Sequence, residues 1–179
     1  MSFEGLRGII QPEHRYEIGR ALCRWGDPGY GELVRDGKQQ TGTFSDELVD
    51  AAARLMQRWN PRPSPAWVTC VPSRRNTDLV PSFARRLAQA LHLPFIDCIA
   101  KVRDTAEQKT RQNSFQQCHN LEHAFAVDAS RVQGSPVLLV DDMVDSRWTF
   151  TVLALKLKQA GSGPIFPFAL ANTSAGDGD

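Results

Sequence analysis

The stretch Val137-Leu138-Leu139-Val140-Asp141-Asp142-Met143-Val144-Asp145-Ser146-Arg147-Trp148-Thr149 constrains this chain more than any other. Four consecutive apolar residues make a buried strand, two adjacent carboxylates sit at its end, and a short polar turn opens a helix. In an open α/β sheet, ligands bind just past the carboxyl ends of the strands. The turn from Asp145 to Thr149 offers backbone N–H groups and hydroxyls to a phosphate at a helix N-terminus. Asp141 and Asp142 suit ribose hydroxyls, or a metal held through them. Two like charges side by side at the end of a buried strand repel unless something uses them. A sugar phosphate is the economical ligand.

The flanking sequence predicts strands alternating with helices. Trp67–Val71 reads as a strand, followed by a helix opening at Pro81 or Ser82 and running through Phe83, Leu87 and Leu91. Phe95–Ile99 reads as a second strand and Phe125–Val127 as a short one. Val137–Val140 and Ile165–Leu170 are further strands, joined by a helix from about Arg147 to Ala160 that Gly161 terminates. Pro167 lacks a donor, which predicts a sheet edge or a bulge. This alternation predicts a parallel sheet with helices on both faces.

Upstream, Pro12-Glu13 followed by Ile18, Leu22 and Trp25 predicts a helix with a narrow apolar face. Trp25 to Gly42, rich in glycine and charge, reads as an irregular hood, and its aromatics could wall an acceptor base. Ser45 offers an N-cap to a helix through Leu48, Ala52, Leu55, Met56 and Trp59. The prolines between 60 and 65 stop it. The expected organisation is one domain over residues 1–173, with hood elements within about 1–60 and 101–130 and a polar tail at 174–179.

Composition excludes little and localises charge. With 41% apolar and 23% charged residues and a net charge of +1, the chain exerts no global pull on nucleic acid or an acidic membrane. From Val71 to Arg111, eight Lys or Arg face four Asp or Glu, whereas beyond Arg111 four face seven. A basic segment opposite an acidic strand end suits a ligand with phosphate at one end and hydroxyls at the other. No run of about 18 apolar residues predicts a membrane span. The first residues lack the apolar core of a signal peptide, so a cytoplasmic location is expected. Cys23, Cys70, Cys98 and Cys118 form no CxxC and are expected reduced and mostly buried.

Other readings of these motifs are weaker. A response-regulator receiver also pairs carboxylates at a strand end, but it opens its domain with them and needs a later strand bearing a phosphorylatable Asp. A Walker B strand needs an upstream phosphate loop of the G-x-x-x-x-G-K-[ST] type, which this chain lacks. His119-Asn120-Leu121-Glu122-His123 matches the H-x-x-E-H zinc pattern, yet no Glu follows Glu122 to complete the ligand set.

The apolar strand, Asp-Asp and small phosphate loop resemble the signature of the type I phosphoribosyltransferases. The resemblance covers roughly residues 15–173 and includes Val71-Pro72-Ser73-Arg74-Arg75, which follows a strand as the pyrophosphate loop does in that family. Lys101 to Asn120 looks like the family's closing loop. The Asp-Ser-Arg-Trp-Thr loop and the Gln108-Lys109…Gln112-Asn113-Ser114 run are most similar to the ComF-like branch, and within it to a module at the C-terminus of some RecQ-type DNA helicases. The fold so implied is α/β, type I phosphoribosyltransferase-like, with a central parallel sheet flanked by helices and a small irregular hood.

By the same resemblance, Asp141 and Asp142 would hold the ribose 2′ and 3′ hydroxyls, and Asp145, Ser146, Arg147, Trp148 and Thr149 the 5′-phosphate. Ser73, Arg74, Arg75, Lys101, Arg103 and Arg111 would bind pyrophosphate, and Asp141, Asp142, Arg74 and Lys109 would serve catalysis. Mg²⁺ would be held by Asp141 and Asp142, directly or through water. The implied ligand is phosphoribosyl pyrophosphate or a nucleoside monophosphate, with transfer to a nitrogenous base. The alternative is a non-catalytic nucleotide-sensing module serving a DNA-processing helicase in cis or in trans. One departure stands out: the family usually has Gly where this chain has Arg147. The acceptor base is chosen in the hood, and nothing in the sequence sets an oligomeric state.

Overall fold

The structure is a computed structural model that describes residues 15–73, 76–102, 123–145 and 147–173. Its strands are β1 (Arg20–Arg24), β2 (Trp67–Cys70), β3 (Ile99–Lys101), β4 (Phe125–Val127), β5 (Val137–Val144) and β6 (Ile165–Asn172). The helices are α1 (Tyr30–Asp36), α2 (Asp46–Trp59), α3 (Leu79–Ala90) and α4 (Trp148–Gln159), with a π-helical turn at Gly37–Thr41 after α1. Four strands form a parallel sheet in the order β1-β6-β5-β2, and β3 and β4 pair separately as an antiparallel ribbon.

Period-two alternation gives this sheet two buried faces. Val68 and Cys70 of β2, Leu138 and Val140 of β5, and Phe166, Phe168 and Leu170 of β6 join one apolar cluster with α2 and α3. Trp67, Val137, Leu139, Ile165 and Ala169 join a second one with Phe150, Leu153, Ala154 and Leu157 of α4. Burial on both sides is why Val137–Val140 reads as an unbroken apolar run.

Besides Trp25 to Gly42, which holds α1 and the π-helical turn where an irregular segment is expected, three local expectations are corrected. Residues 20–24 form β1 rather than a helix: Arg20 pairs with Phe168 and Arg24 with Asn172. The helical spacing of Ile18, Leu22 and Trp25 is incidental, since Ile18 is 77% exposed while Leu22 and Trp25 pack against the core. Within the expected strand Phe95–Ile99, only Phe95 bridges β2, opposite Val68. The chain then leaves the sheet, and Ile99 pairs with Val127 in the ribbon. Third, Pro167 lies in a strand with neighbours on both sides. Its missing donor falls one residue ahead of the Arg20–Phe168 pair, where the approaching chain is Gly19. A Cβ on Gly19 would stand 2.7 Å from the Pro167 carbonyl oxygen, so only glycine passes this closely.

The helices follow their sequence signals more closely. Ser45 precedes α2 in an extended conformation, with Asp46 and Glu47 in the first turn, although its side chain makes no cap bond. Arg86 of α3 ties the two helices, reaching Asp46 Oδ1 and the Phe44 carbonyl, each at 2.6 Å. α3 starts two residues before Pro81, where Asn76 Oδ1 accepts from the Leu79 N–H at 3.2 Å. Among the described residues, no helix is long and apolar enough to cross a membrane.

Candidate sugar-phosphate site

Topology singles out one end of the sheet. From β2 the chain crosses through α3 on the first face toward Phe95, whereas from β5 it crosses through α4 on the second face to β6. The adjacent strands β2 and β5 therefore hand off in opposite directions, and their carboxyl ends frame a switch point of the kind that binds ligands. Cys70 pairs with Val140, and the Val71 N–H donates to the Val140 carbonyl at 2.8 Å. Val71-Pro72-Ser73 thus leaves the sheet beside Asp141 and Asp142, and Ser73 is half-buried.

The acid pair lies within the last half of β5, which continues to Val144. Both residues are half-buried, and the Asp142 N–H donates to Asp141 Oδ1 at 2.8 Å. Burial, then the neighbouring Asp142 charge, pushes the Asp141 carboxyl well above the usual carboxylate range; the Asp142 N–H and the Lys38 charge oppose this. Asp142 is paired directly, with Lys38 Nζ 2.6 Å from its Oδ2. The Asp142 side chain is 14% exposed and that of Lys38 33%.

Sequence reasoning missed Lys38. It rides on the π-helical turn, a rare geometry found often at functional sites. The turn is seated by its glycines. A Cβ on Gly37 would meet Phe44 Cδ1 at 2.7 Å and the Thr43 carbonyl at 3.0 Å, and Gly42 closes the turn at φ 70°. The Gly37…Gly42 bracket was the available signal. Gly37→Ala should overpack this contact and destabilise the chain by about 1–3 kcal/mol. Calorimetry would register a melting temperature lower by roughly 2–12 °C for a domain of this size; an unchanged value would mean the turn has room to shift.

Beyond β5, Asp145 and Arg147 are exposed, and Trp148 and Thr149, half-buried, open α4. Arg147 takes a left-handed backbone, φ 62°, at the N-cap. Its carbonyl accepts from the Thr151 N–H at 3.0 Å and the Thr151 hydroxyl at 3.1 Å. The helix directs its positive dipole end at this turn, and Lys156 and Lys158 balance the other end. Arg147 also lines a cavity of about 370 Å³ with Tyr16, Ile18, Arg20, Phe150 and Pro167, alongside β1.

The remaining expected site residues divide. Lys101 lies in β3, its ammonium 5.8 Å from the Phe125 ring centre. Arg74, Arg75, Arg103, Lys109, Arg111 and Ser146 lie outside the described residues, as do Cys118, His119 and Glu122. Trp25 and Tyr30 are not a free aromatic wall; both pack against the first apolar cluster. Cys70 and Cys98 are buried, and burial raises both thiols; burial and Asp27 push Cys23 up to about 11.

Mg²⁺ typically takes one or two carboxylates and completes its shell with phosphate oxygens and water. Asp141 and Asp142 are half-buried carboxylates of that type, Asp142 being already paired with Lys38. Among the described residues, no group of three or more His, Cys, Asp or Glu could build a cage of protein ligands.

No protein-family model matches the chain, and no curated protein does. Solved structures do. An adenine phosphoribosyltransferase superposes with a TM-score of 0.52 at 15% identity, covering 73% of this chain and 69% of that one. The adenine phosphoribosyltransferase from Saccharomyces cerevisiae, complexed with an imino-altritol bisphosphate and adenine, gives 0.49 at 14% identity over 71% and 67%. An allosteric regulatory enzyme of purine biosynthesis gives 0.48 at 19% identity, covering 68% of this chain but 25% of that enzyme. A central parallel sheet flanked by helices, in a likeness carried by the first of these superpositions, gives this chain the fold of the type I phosphoribosyltransferases.

Proposed function

We propose that the chain binds phosphoribosyl pyrophosphate, or a related ribose 5-phosphate ligand, at the carboxyl ends of β2 and β5, and transfers the phosphoribosyl group to a nitrogenous base. The observation that carries this reading is the partly buried acid pair, a few residues ahead of the α4 N-terminal turn, at the point where β2 and β5 diverge. Asp141 and Asp142 accept the ribose hydroxyls, and the Asp145–Thr149 turn receives the 5′-phosphate through backbone donors and the helix dipole. Ser73, with Arg74 and Arg75 after it, receives the pyrophosphate.

In the reaction a base nitrogen forms a bond to ribose C1, the bond from C1 to the pyrophosphate oxygen breaks with its electron pair leaving on pyrophosphate, and the nitrogen's proton passes to the departing pyrophosphate or to water. Charge develops on the sugar ring and on the leaving group, so positioning and fixed charges supply most of the acceleration. Mg²⁺ would be held by Asp141 and Asp142, directly or through water, and would supply charge neutralisation to the pyrophosphate.

Titration calorimetry with phosphoribosyl pyrophosphate and Mg²⁺ tests the reading. Saturable binding that ribose 5-phosphate competes away is the expected result; an absence of binding overturns it. Pyrophosphate release with a panel of bases then tests turnover. A second reading is favoured by the exposed Arg147 side chain, at a loop position where the resembling family usually has glycine. There the chain senses a sugar phosphate without turnover, as a ComF-like module beside a DNA helicase. Binding without pyrophosphate release, with helicase motifs in the upstream reading frame, would support it.

A further inference from the structure

Lys38 reaches the acid pair from a different part of the chain, on a turn anchored at the buried Gly37. Gly37 is seated against Phe44 with no room for a Cβ, and Gly42 lies beside Asn76 in the loop that follows β2. The ammonium is therefore delivered by a packed turn, to 2.6 Å from an Asp142 oxygen that is largely shielded from water. A carboxylate offers about four acceptor sites. The Lys38 bond on Asp142 and the Asp142 N–H bond on Asp141 thus leave acceptor capacity on both groups.

Two neighbouring carboxylates that face one ligand need compensating positive charge. A divalent ion arriving with a diphosphate can supply it, but ribose 5-phosphate carries no such ion of its own. Lys38 is already present and covalently attached. A lysine ammonium is a compact point charge with three donors, so one N–H on Asp142 leaves two for a sugar oxygen or a phosphate.

We propose that Lys38 is the resident cation of the acid pair, holding Asp141 and Asp142 ready to accept a vicinal diol so that ribose 5-phosphate binds without a divalent ion. This rests on the sugar-phosphate reading above. Lys38 acts as a positioning residue for the two carboxylates. Divalent-ion dependence is then a property of the pyrophosphate end of the ligand alone.

The test is titration of the full chain with ribose 5-phosphate, in EDTA and in Mg²⁺, for the unaltered protein, Lys38→Met and Lys38→Arg. The unaltered protein should bind with affinities that agree within about twofold in the two buffers. Lys38→Met should bind about tenfold or more weakly in EDTA and recover most of that loss in Mg²⁺, while Lys38→Arg stays within about threefold. Recovery by the ion separates lost charge from a lost fold. Affinity that Lys38→Met leaves unchanged or tightens overturns the proposal, as does a tenfold or greater requirement for Mg²⁺ in the unaltered protein. If the unaltered protein binds neither ribose 5-phosphate nor phosphoribosyl pyrophosphate, the sugar-phosphate reading falls with it; binding that ignores Lys38 defeats this inference alone.

Discussion

Replacing Asp141 and Asp142 together by asparagine is expected to weaken phosphoribosyl pyrophosphate binding at least about tenfold, because each hydrogen bond to a charged acceptor contributes roughly 1.5–3 kcal/mol. The ligand-free chain should at the same time become more stable. Asparagine keeps the volume, and its oxygen at position 141 still accepts the residue 142 N–H that Asp141 accepts at 2.8 Å. What disappears is a carboxylate held above its ordinary value of 3.8 by burial and by the adjacent charge.

The sign follows from linkage. Between that ordinary value and the raised folded value, the folded chain holds a proton that the unfolded chain has released, so stability falls as pH rises through this window. The loss is complete above the folded value, and the double variant removes it. Losing the Lys38 partner takes back part of this gain at every pH, about 0–1 kcal/mol for a partly exposed pair, and leaves the direction of the pH dependence unchanged. Calorimetric melting at pH 5, 7 and 8 should show an advantage for the variant that grows with pH, read as a melting temperature that exceeds the unaltered chain's by more at each step. Unchanged ligand affinity in the double variant would remove the acid pair from the site.

The acid pair itself stood out in the sequence, since two adjacent acids at the end of an apolar run repel unless something uses them. So did the two-faced sheet, because Val137–Val140 and Trp67–Cys70 carry their burial in their composition. What escaped were relations between distant residues. Lys38 and Asp142 are 104 positions apart, and no local pattern connects them. β1 was misread because Ile18, Leu22 and Trp25 fall at helical spacing, whereas the deciding interaction is pairing with β6, at the other end of the chain. The run Phe95–Ile99 has strand composition throughout, yet only Phe95 meets β2 before the chain turns into the ribbon. Trp25 and Tyr30 illustrate the same limit: aromatics among glycines suit a ligand wall or a core edge equally, and the choice is made by α2 and the sheet packing beside them.

Arg147 allows the phosphate turn to be tested from its backbone. At φ 62° an L-residue is strained by contact between its Cβ and the following carbonyl, a cost of roughly 1–2 kcal/mol that glycine escapes. Glycine loses more chain entropy on folding, about 0.5–1 kcal/mol, so Arg147→Gly should stabilise by a net of up to about 1 kcal/mol. Arg147→Val should do the opposite. A β-branched residue is a genuine outlier in this region and should destabilise by a further 1–2 kcal/mol or so. The pair should therefore differ by about 1–3 kcal/mol, or roughly 2–12 °C in melting temperature.

Binding should follow the backbone rather than the side chain. The Arg147 carbonyl fastens the first turn of α4 through both Thr151 donors, and the residue borders the cavity along β1 with Tyr16 and Phe150. Arg147→Gly keeps the turn and should bind ribose 5-phosphate within about threefold of the unaltered chain. Arg147→Val, which disfavours the left-handed cap, should lose about tenfold, since the turn's backbone donors no longer converge. If instead Arg147→Gly loses tenfold or more while Arg147→Val loses no more than that, the guanidinium itself grips the phosphate, and the backbone account of this turn is wrong.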